Sequence, residues 1–265
     1  MKIGFIGAGN MAKAIIAGII KSNYLSSSDI YVNTRTFDKA DELKKTYNIN
    51  IERDKKQLVK IADIIILAVK PNQYETVIND IKECDLKKKV FVSIAAGLSL
   101  DKIENMFGYK IKLIRCMPNT PVSVGEGMTG ICKNELVSEE ELMYVTNLFN
   151  TIGRAEVIEE KMMDAVVAVS GSSPAYIYMI IEAMADAAVL EGMPRDKAYI
   201  FASQAVLGSA KLVLDSGIHP GELKDKVCSP GGTTIEAVRV LEEKGLRSSI
   251  IEAMKACADK SKELG

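Results

Sequence analysis

Residues 2–12 read KIGFIGAGNMA. A short apolar run through Ile3, Phe5 and Ile6 leads straight into Gly7 and Gly9, and helix-forming residues continue from Met11 onward. Glycine at position 7 permits a tight turn, glycine at 9 lets backbone approach a pyrophosphate, and Ala12 keeps helix and sheet close. On its own the G-x-G-x-x-A pattern is compatible with an ordinary glycine turn. Between a strand and a helix it predicts a dinucleotide-binding βαβ unit, with Ile6, Gly7, Ala8, Gly9, Asn10 and Met11 at the ligand.

Outward from that turn, strand-like runs KIGFI, DIYVN, ADIIILAVK, KKVFVSIAA and KIKLIRC alternate with segments of helical length. Such alternation predicts an α/β fold built on a doubly wound parallel sheet. TGICK and RAEVI are expected to add two strands flanking a helix started by Ser138, with Glu139, Glu140 and Glu141 in its first turn. From about Glu160 the β-branched runs stop. Apolar residues then recur at helical spacing over Tyr176–Leu190, Asp196–Leu214 and Ile235–Ala258. The expected organisation is a dinucleotide-binding domain over 1–158 and an all-α domain over 159–265. The helical half carries more apolar faces than one layer of helices can hide, which predicts a homodimer formed through it.

Composition limits the functions open to such a chain. Of its 265 residues 48% are hydrophobic and 26% charged, and the net charge is -1. That balance provides no electrostatic footprint for nucleic acid or an anionic membrane. The N-terminal MKIGFIGAGN passes directly into a strand and turn without the pattern of a signal peptide. No run is expected to be long enough and free enough of charge to span a bilayer. Five scattered cysteines suit reduced thiols better than a disulfide framework or a metal cluster. The expectation is a cytoplasmic protein without structural metal.

The end of the second strand selects the cofactor. Sites for NAD usually place an acid there, whereas this chain reads Asn33-Thr34-Arg35-Thr36. Arg35 would pair a 2′-phosphate, favouring NADPH over NADH; the alternative is a surface arginine on a loop. Val69, Lys70 and Pro71 close a third strand at the sheet edge where open α/β folds bind ligands. Ala95 and Ala96 follow the next strand, with side chains small enough for a nicotinamide to lie close. His219, the only histidine, precedes Pro220 and reads as a loop or helix-cap residue. A site with serine and threonine hydroxyls and no histidine suits reduction of a C=N bond better than of a ketone, whose alkoxide needs a stronger acid.

A second glycine turn lies in VCSPGGTTIEAV, residues 227–238. Pro-Gly-Gly before two threonines and an amphipathic run predicts a helix start with free backbone N–H groups, an anion site. IGAGNMA, AVKP, IRCMPNTP, SGSSPAYIY and LKDKVCSPGGTTIEAVRVLE together resemble the pyrroline-5-carboxylate reductase family along essentially the whole chain.

The resemblance implies an N-terminal Rossmann domain joined to a helical domain that intertwines with its dimer mate, with dimers assembling in rings of five to a decamer. It implies hydride transfer from NADPH, or alternatively NADH, to the imine carbon of 1-pyrroline-5-carboxylate, giving L-proline in the last step of proline biosynthesis. Backbone N–H groups around Ser229, Gly231, Gly232 and Thr233 would hold the substrate carboxylate. The Thr234 hydroxyl would be the catalytic group on the ring nitrogen, first as an orienter. Thr34 and Arg35 would lie at the 2′-phosphate, Glu160 near the substrate, Lys70 and Ala96 at the cofactor, and Met117, Asn119 and Thr120 on the nicotinamide side. For Glu160 the alternative is a first-turn acid favoured by the helix dipole, and for Met117 core packing. Ser173 replaces a glycine usual in the family, Lys55 an asparagine near the adenosine, and Lys226 a neutral residue; both lysines read by default as solvated. The competing functions are another NADP-dependent imine or β-hydroxyacid reductase and a non-catalytic NADP-binding sensor.

Overall fold

The computed structural model describes residues 1–264. Strands β1 (Ile3–Ile6), β2 (Ile30–Asn33), β3 (Asn50–Ile51), β4 (Ile64–Leu67), β5 (Val90–Ser93), β6 (Lys112–Met117), β7 (Gly127–Lys133) and β8 (Gly153–Val157) form one sheet in the order β3-β2-β1-β4-β5-β6-β7-β8. All neighbours pair in parallel except β6 with β7, which run antiparallel. The order reverses between β1 and β4, the switch point where open α/β sheets leave a crevice beyond their strand ends.

Both faces of the sheet are covered, so the strands read as continuous apolar runs. Ile3, Phe5, Ile64, Ile66, Val90 and Val92 point to one side, against α1 (Asn10–Lys21), α2 (Phe37–Tyr47) and α6 (Glu139–Asn150). Ile6, Ile65, Leu67 and Phe91 point to the other, against α3 (Lys55–Ile61), α4 (Tyr74–Ile81) and α5 (Leu100–Phe107). Ser138 starts α6 with a full capping box: its side chain accepts from Glu141 N–H, and Glu141 returns the bond to Ser138 N–H. All the sequence-predicted strands are present. The two-residue β3 was not anticipated, being too short to show a period.

Beyond β8 the chain is helical. It contains a short 3₁₀ turn, α7 (Met163–Val166), a π turn over Val167–Gly171, α8 (Ser173–Leu190), α9 (Arg195–Ser216), α10 (Pro220–Val227), α11 (Thr233–Glu243) and α12 (Leu246–Leu264). The single segment expected over Ile235–Ala258 is two helices, divided at Gly245, whose φ of +73° ends α11. The expectation that no run could span a bilayer also needs correction. The stretch Glu160–Leu190 suffices by length and composition, although a bend at Ser172 divides its helical residues.

The chain divides into two compact units, Met1–Ser172 with the residues from Cys257 onward, and Ser173–Ala256. In the first, the last turns of α12 are held by Ser261 Oγ to Asp164 Oδ1 at 2.7 Å and by Cys257 Sγ to Ser172 Oγ at 3.2 Å. In the second, α8 and α9 pack through alanines, with Ala185, Ala198 and Ala202 buried, while Met179, Leu190, Ile200, Phe201 and Ile251 lie exposed.

Candidate active site

Gly7 carries the turn after β1. Its φ is +110°, its N–H donates to Asn33 O at 2.8 Å, and a Cβ there would stand 2.6 Å from Ala68 O. Only glycine fits. Gly9 caps α1 without a side-chain bond, and a Cβ on it would meet nothing within 4 Å, so the first N–H groups of α1 open onto free space. Here lies a cavity of about 230 Å³. Of the residues expected at a dinucleotide, Ile6, Gly7, Ala8, Gly9, Thr34, Arg35, Val69 and Lys70 line it. Asn10 and Met11 stand in the first turn of α1, Pro71 opens the 3₁₀ turn before α4, and Ala95 and Ala96 follow β5; none of these five borders the cavity. Gln73, Thr76 and Val77 of the α4 region complete it, and nothing in their sequence pattern marked them.

A second cavity, of about 500 Å³, adjoins it and shares Asn33, Thr34, Arg35 and Lys55. Arg53 and Lys56 add further positive charge, opposed by Asp54 and Asp80. The buried Asn33 side chain shapes this region by donating to Glu52 O and Arg53 O, both at 2.9 Å, which pins the loop after β3 to the end of β2. Lys55 is not simply solvated: it pairs with Asp80 of α4 while facing both cavities. The donor set, one guanidinium and a hydroxyl at the end of β2 without an acid, fits a phosphate-bearing ribose.

Glu160 has a partner that no local pattern indicates. Its Oε1 accepts from Arg115 Nη1 at 3.0 Å and from Leu100 N–H at 2.8 Å, joining β6 and the start of α5 to the turn before α7. Asn119 uses both ends of its amide internally, donating to Ser170 O at 3.0 Å and accepting from Met128 N–H at 2.8 Å. Met117 is half-buried and packs against the core cluster on the α3–α5 face, while Thr120 is exposed. Burial pushes the Cys116 thiol well up; burial, then the Glu160 carboxylate, pushes that of Cys132 up to about 12. All five cysteines are free thiols.

The second glycine turn forms a helix start, as expected. Gly232 N–H donates to Ser229 O at 3.0 Å, Gly231 sits at φ +67°, and Gly232 caps α11 without a side-chain bond. A Cβ on Gly232 would fall 2.4 Å from Ser229 Oγ, which would have to turn aside, whereas the left-handed φ of Gly231 is what asks for glycine in this turn. The N–H groups of Thr233 and Thr234 therefore open the helix with no preceding carbonyl to receive them. The one acid of this first turn, Glu236, is drawn away by Arg239 at 2.8 Å. His219 caps α10 by accepting from Gly221 N–H at 3.1 Å, Lys226 pairs with Glu222 at 2.8 Å, and Ser173 opens α8.

A family model described as NADP oxidoreductase coenzyme F420-dependent matches residues 2–97, and one described as pyrroline-5-carboxylate reductase dimerisation matches residues 160–264. The pyrroline-5-carboxylate reductase of Escherichia coli is 54% identical over 99% of this chain and 98% of its own. The pyrroline carboxylate reductase of Plasmodium falciparum, solved with NADP bound, superposes with a TM-score of 0.91 at 35% identity, covering 100% of this chain and 98% of that one. The Coxiella burnetii enzyme gives 0.92 at 36% identity over the same shares. With relatives this similar along its entire length, the chain belongs to the pyrroline-5-carboxylate reductase family.

Proposed function

We propose that this chain reduces 1-pyrroline-5-carboxylate to L-proline at the expense of NADPH, the last step of proline biosynthesis. The observation that carries the reading is the cavity at Gly7–Gly9, in a chain 54% identical to a curated reductase over 99% of its length. When bound, the nicotinamide supplies the hydride for the imine carbon. The Gly7–Gly9 turn and the start of α1 hold the pyrophosphate, and Thr34 with Arg35 holds the 2′-phosphate. Val69, Lys70, Pro71, Ala95 and Ala96 form the rim, with Asn10, Met11 and Asn119 supporting it. N–H groups around Ser229, Gly231, Gly232 and Thr233 grip the substrate carboxylate, and Glu160 borders the substrate. The Thr234 hydroxyl fixes the ring nitrogen, so that most of the rate comes from holding donor and acceptor in near-attack geometry.

The dimerisation family model over 160–264 and the exposed apolar faces of α8 and α9 support a homodimer and a functional boundary near residue 158. The same dimer would cover the apolar length of Glu160–Leu190, so no membrane is needed to account for it. A cytoplasmic decamer completes the reading. Absorbance at the nicotinamide band, with pyrroline-5-carboxylate and a β-keto acid offered in parallel, tests it. NADPH oxidation with the imine alone, yielding proline, is the expected result. Tight NADPH binding without turnover would instead indicate a sensor, and turnover of the keto acid alone a hydroxyacid reductase.

A further inference from the structure

Two of the segments around the glycine cavity are fastened together beneath it by one hydroxyl. The side chain of Tyr74, the first residue of α4, is wholly enclosed, and its Oη donates to Leu67 O at 2.7 Å. Its single proton is then spent, so the Ser93 hydroxyl, 2.9 Å away, donates to it. Ser93 Oγ in turn accepts from Ala95 N–H at 3.4 Å. The result is a directional chain, Ala95 N–H to Ser93 to Tyr74 to the last carbonyl of β4, closed at both ends and sealed from water.

Leu67 and Tyr74 stand beside cavity segments, and Ser93 and Ala95 tie them to the loop proposed as the nicotinamide rim. Leu67 precedes Ala68, Val69 and Lys70, which line the cavity; Tyr74 sits between Gln73 and Thr76, which line it too. Ser93 ends β5 and Ala95 lies in the loop after it, whose alanines form the proposed nicotinamide rim. β4 and β5 are already in register at Leu67 and Ser93, so the sheet needs no help from a tyrosine at that point. What the hydroxyl adds is a fixed position for the start of α4 and for the two loops leaving the sheet. Burial drives the Tyr74 phenol well above its ordinary range, so it remains a neutral donor at any working pH.

We propose that Tyr74 is a positioning residue for the dinucleotide, acting through Ser93 to hold the Val69–Lys70 and Ala95–Ala96 loops at the spacing the cofactor requires. The role rests on the reading of the cavity as the NADPH site. A tyrosine with this task should affect cofactor binding and not the chemical step, because neither hydroxyl reaches the cavity itself.

The test uses the full-length protein and three variants: Tyr74→Phe, Ser93→Ala and the double substitution. Binding of NADPH is followed by quenching of its fluorescence, with kcat, both KM values and Tm measured alongside. Tyr74→Phe keeps the ring packing and should raise Kd and KM for NADPH about five- to tenfold, the weight of one lost hydrogen bond. The KM for pyrroline-5-carboxylate and kcat at saturating NADPH should stay within about twofold, below the roughly fivefold minimum expected for NADPH affinity. Ser93→Ala should match it, and the double variant should be no worse than either single one, because all three break the same chain. Ile78→Val, in the buried face of α4, serves as a control that lowers Tm without touching the hydroxyl chain. Unchanged NADPH affinity in Tyr74→Phe and Ser93→Ala, or an equal loss in Ile78→Val, would overturn the role. Failure of the unsubstituted protein to bind NADPH would remove the site and the role with it, and is read separately from the variants.

Discussion

Arg115 Nη1 stands 3.0 Å from Glu160 Oε1, with the guanidinium almost completely enclosed and the carboxylate about one-third exposed. The same carboxylate oxygen accepts from Leu100 N–H, so a single acid ties β6, the start of α5 and the turn before α7. Arg115→Met would strand the acid beside apolar neighbours. We expect a loss of about 2 kcal/mol, below the cost of breaking a fully buried pair because Glu160 is partly solvated. Glu160→Gln, which can still accept from Leu100 and Arg115, should cost less. Urea midpoints of the parent and the two variants check the ranking, and a Glu160→Gln midpoint equal to that of the parent would show that the ion pair adds nothing to the hydrogen bonds.

Thr234→Ala removes the hydroxyl assigned to the ring nitrogen while leaving the helix start intact. Turnover should fall on the order of 10²-fold with Kd for NADPH unchanged, the effect of removing one pre-positioned donor. Steady-state kinetics with a separate binding titration distinguish the two quantities. Full turnover in the variant would take Thr234 out of the reaction.

Arg35→Ala should discriminate between the two nicotinamide cofactors. Loss of a charge-assisted bond to the 2′-phosphate is expected to raise KM for NADPH roughly tenfold or more, with KM for NADH changing far less. Lys55→Ala should show a smaller shift in the same direction, since its ammonium is already committed to Asp80. Equal losses with both cofactors would place the phosphate elsewhere.

Cys132 makes stability depend on pH in the alkaline range. Its thiol ionises near 9.0 when exposed, whereas burial first, and then the Glu160 carboxylate, pushes it up to about 12 in the fold. Unfolding between those values releases a proton, so the stabilisation is complete below about pH 9 and is lost as pH rises toward 12. The slope should approach 1.4 kcal/mol per pH unit for one such group. Denaturant titrations from pH 8.5 upward on the parent chain and on Cys132→Ala would show a shallower slope in the variant, and parallel slopes would assign the effect to other groups.

What could be read in advance was whatever backbone chemistry forces on a local stretch. Gly7, Gly9, Gly231 and Gly232 announce their turns because a side chain at Gly7 would strike backbone, Gly231 takes a left-handed φ and Gly9 leaves a helix start open, and Ser138 with Glu141 announces a helix start through its capping bonds. Residues joined across long stretches of chain escaped notice. Arg115 and Glu160 are 45 positions apart, and Asn33 reaches carbonyls 19 and 20 residues ahead. No period or spacing records such a meeting, since only the closed sheet brings the groups together. The break at Gly245 was missed for the opposite reason: one glycine inside an apolar helical pattern is often tolerated, and only its left-handed φ shows that here it ends the helix.

The path of α12 has a bearing on how the protein is made. Synthesis delivers Met1–Ser172 first, complete with its sheet, and then the whole helical unit; Cys257 and Ser261, which bond to Ser172 and Asp164, leave the ribosome after all of these. The domain begun earliest is thus finished last, and its closing bonds must wait for translation to run through the other unit. A nascent chain stalled anywhere in α9–α11 carries a sheet that is already wound yet still lacks its final clasp.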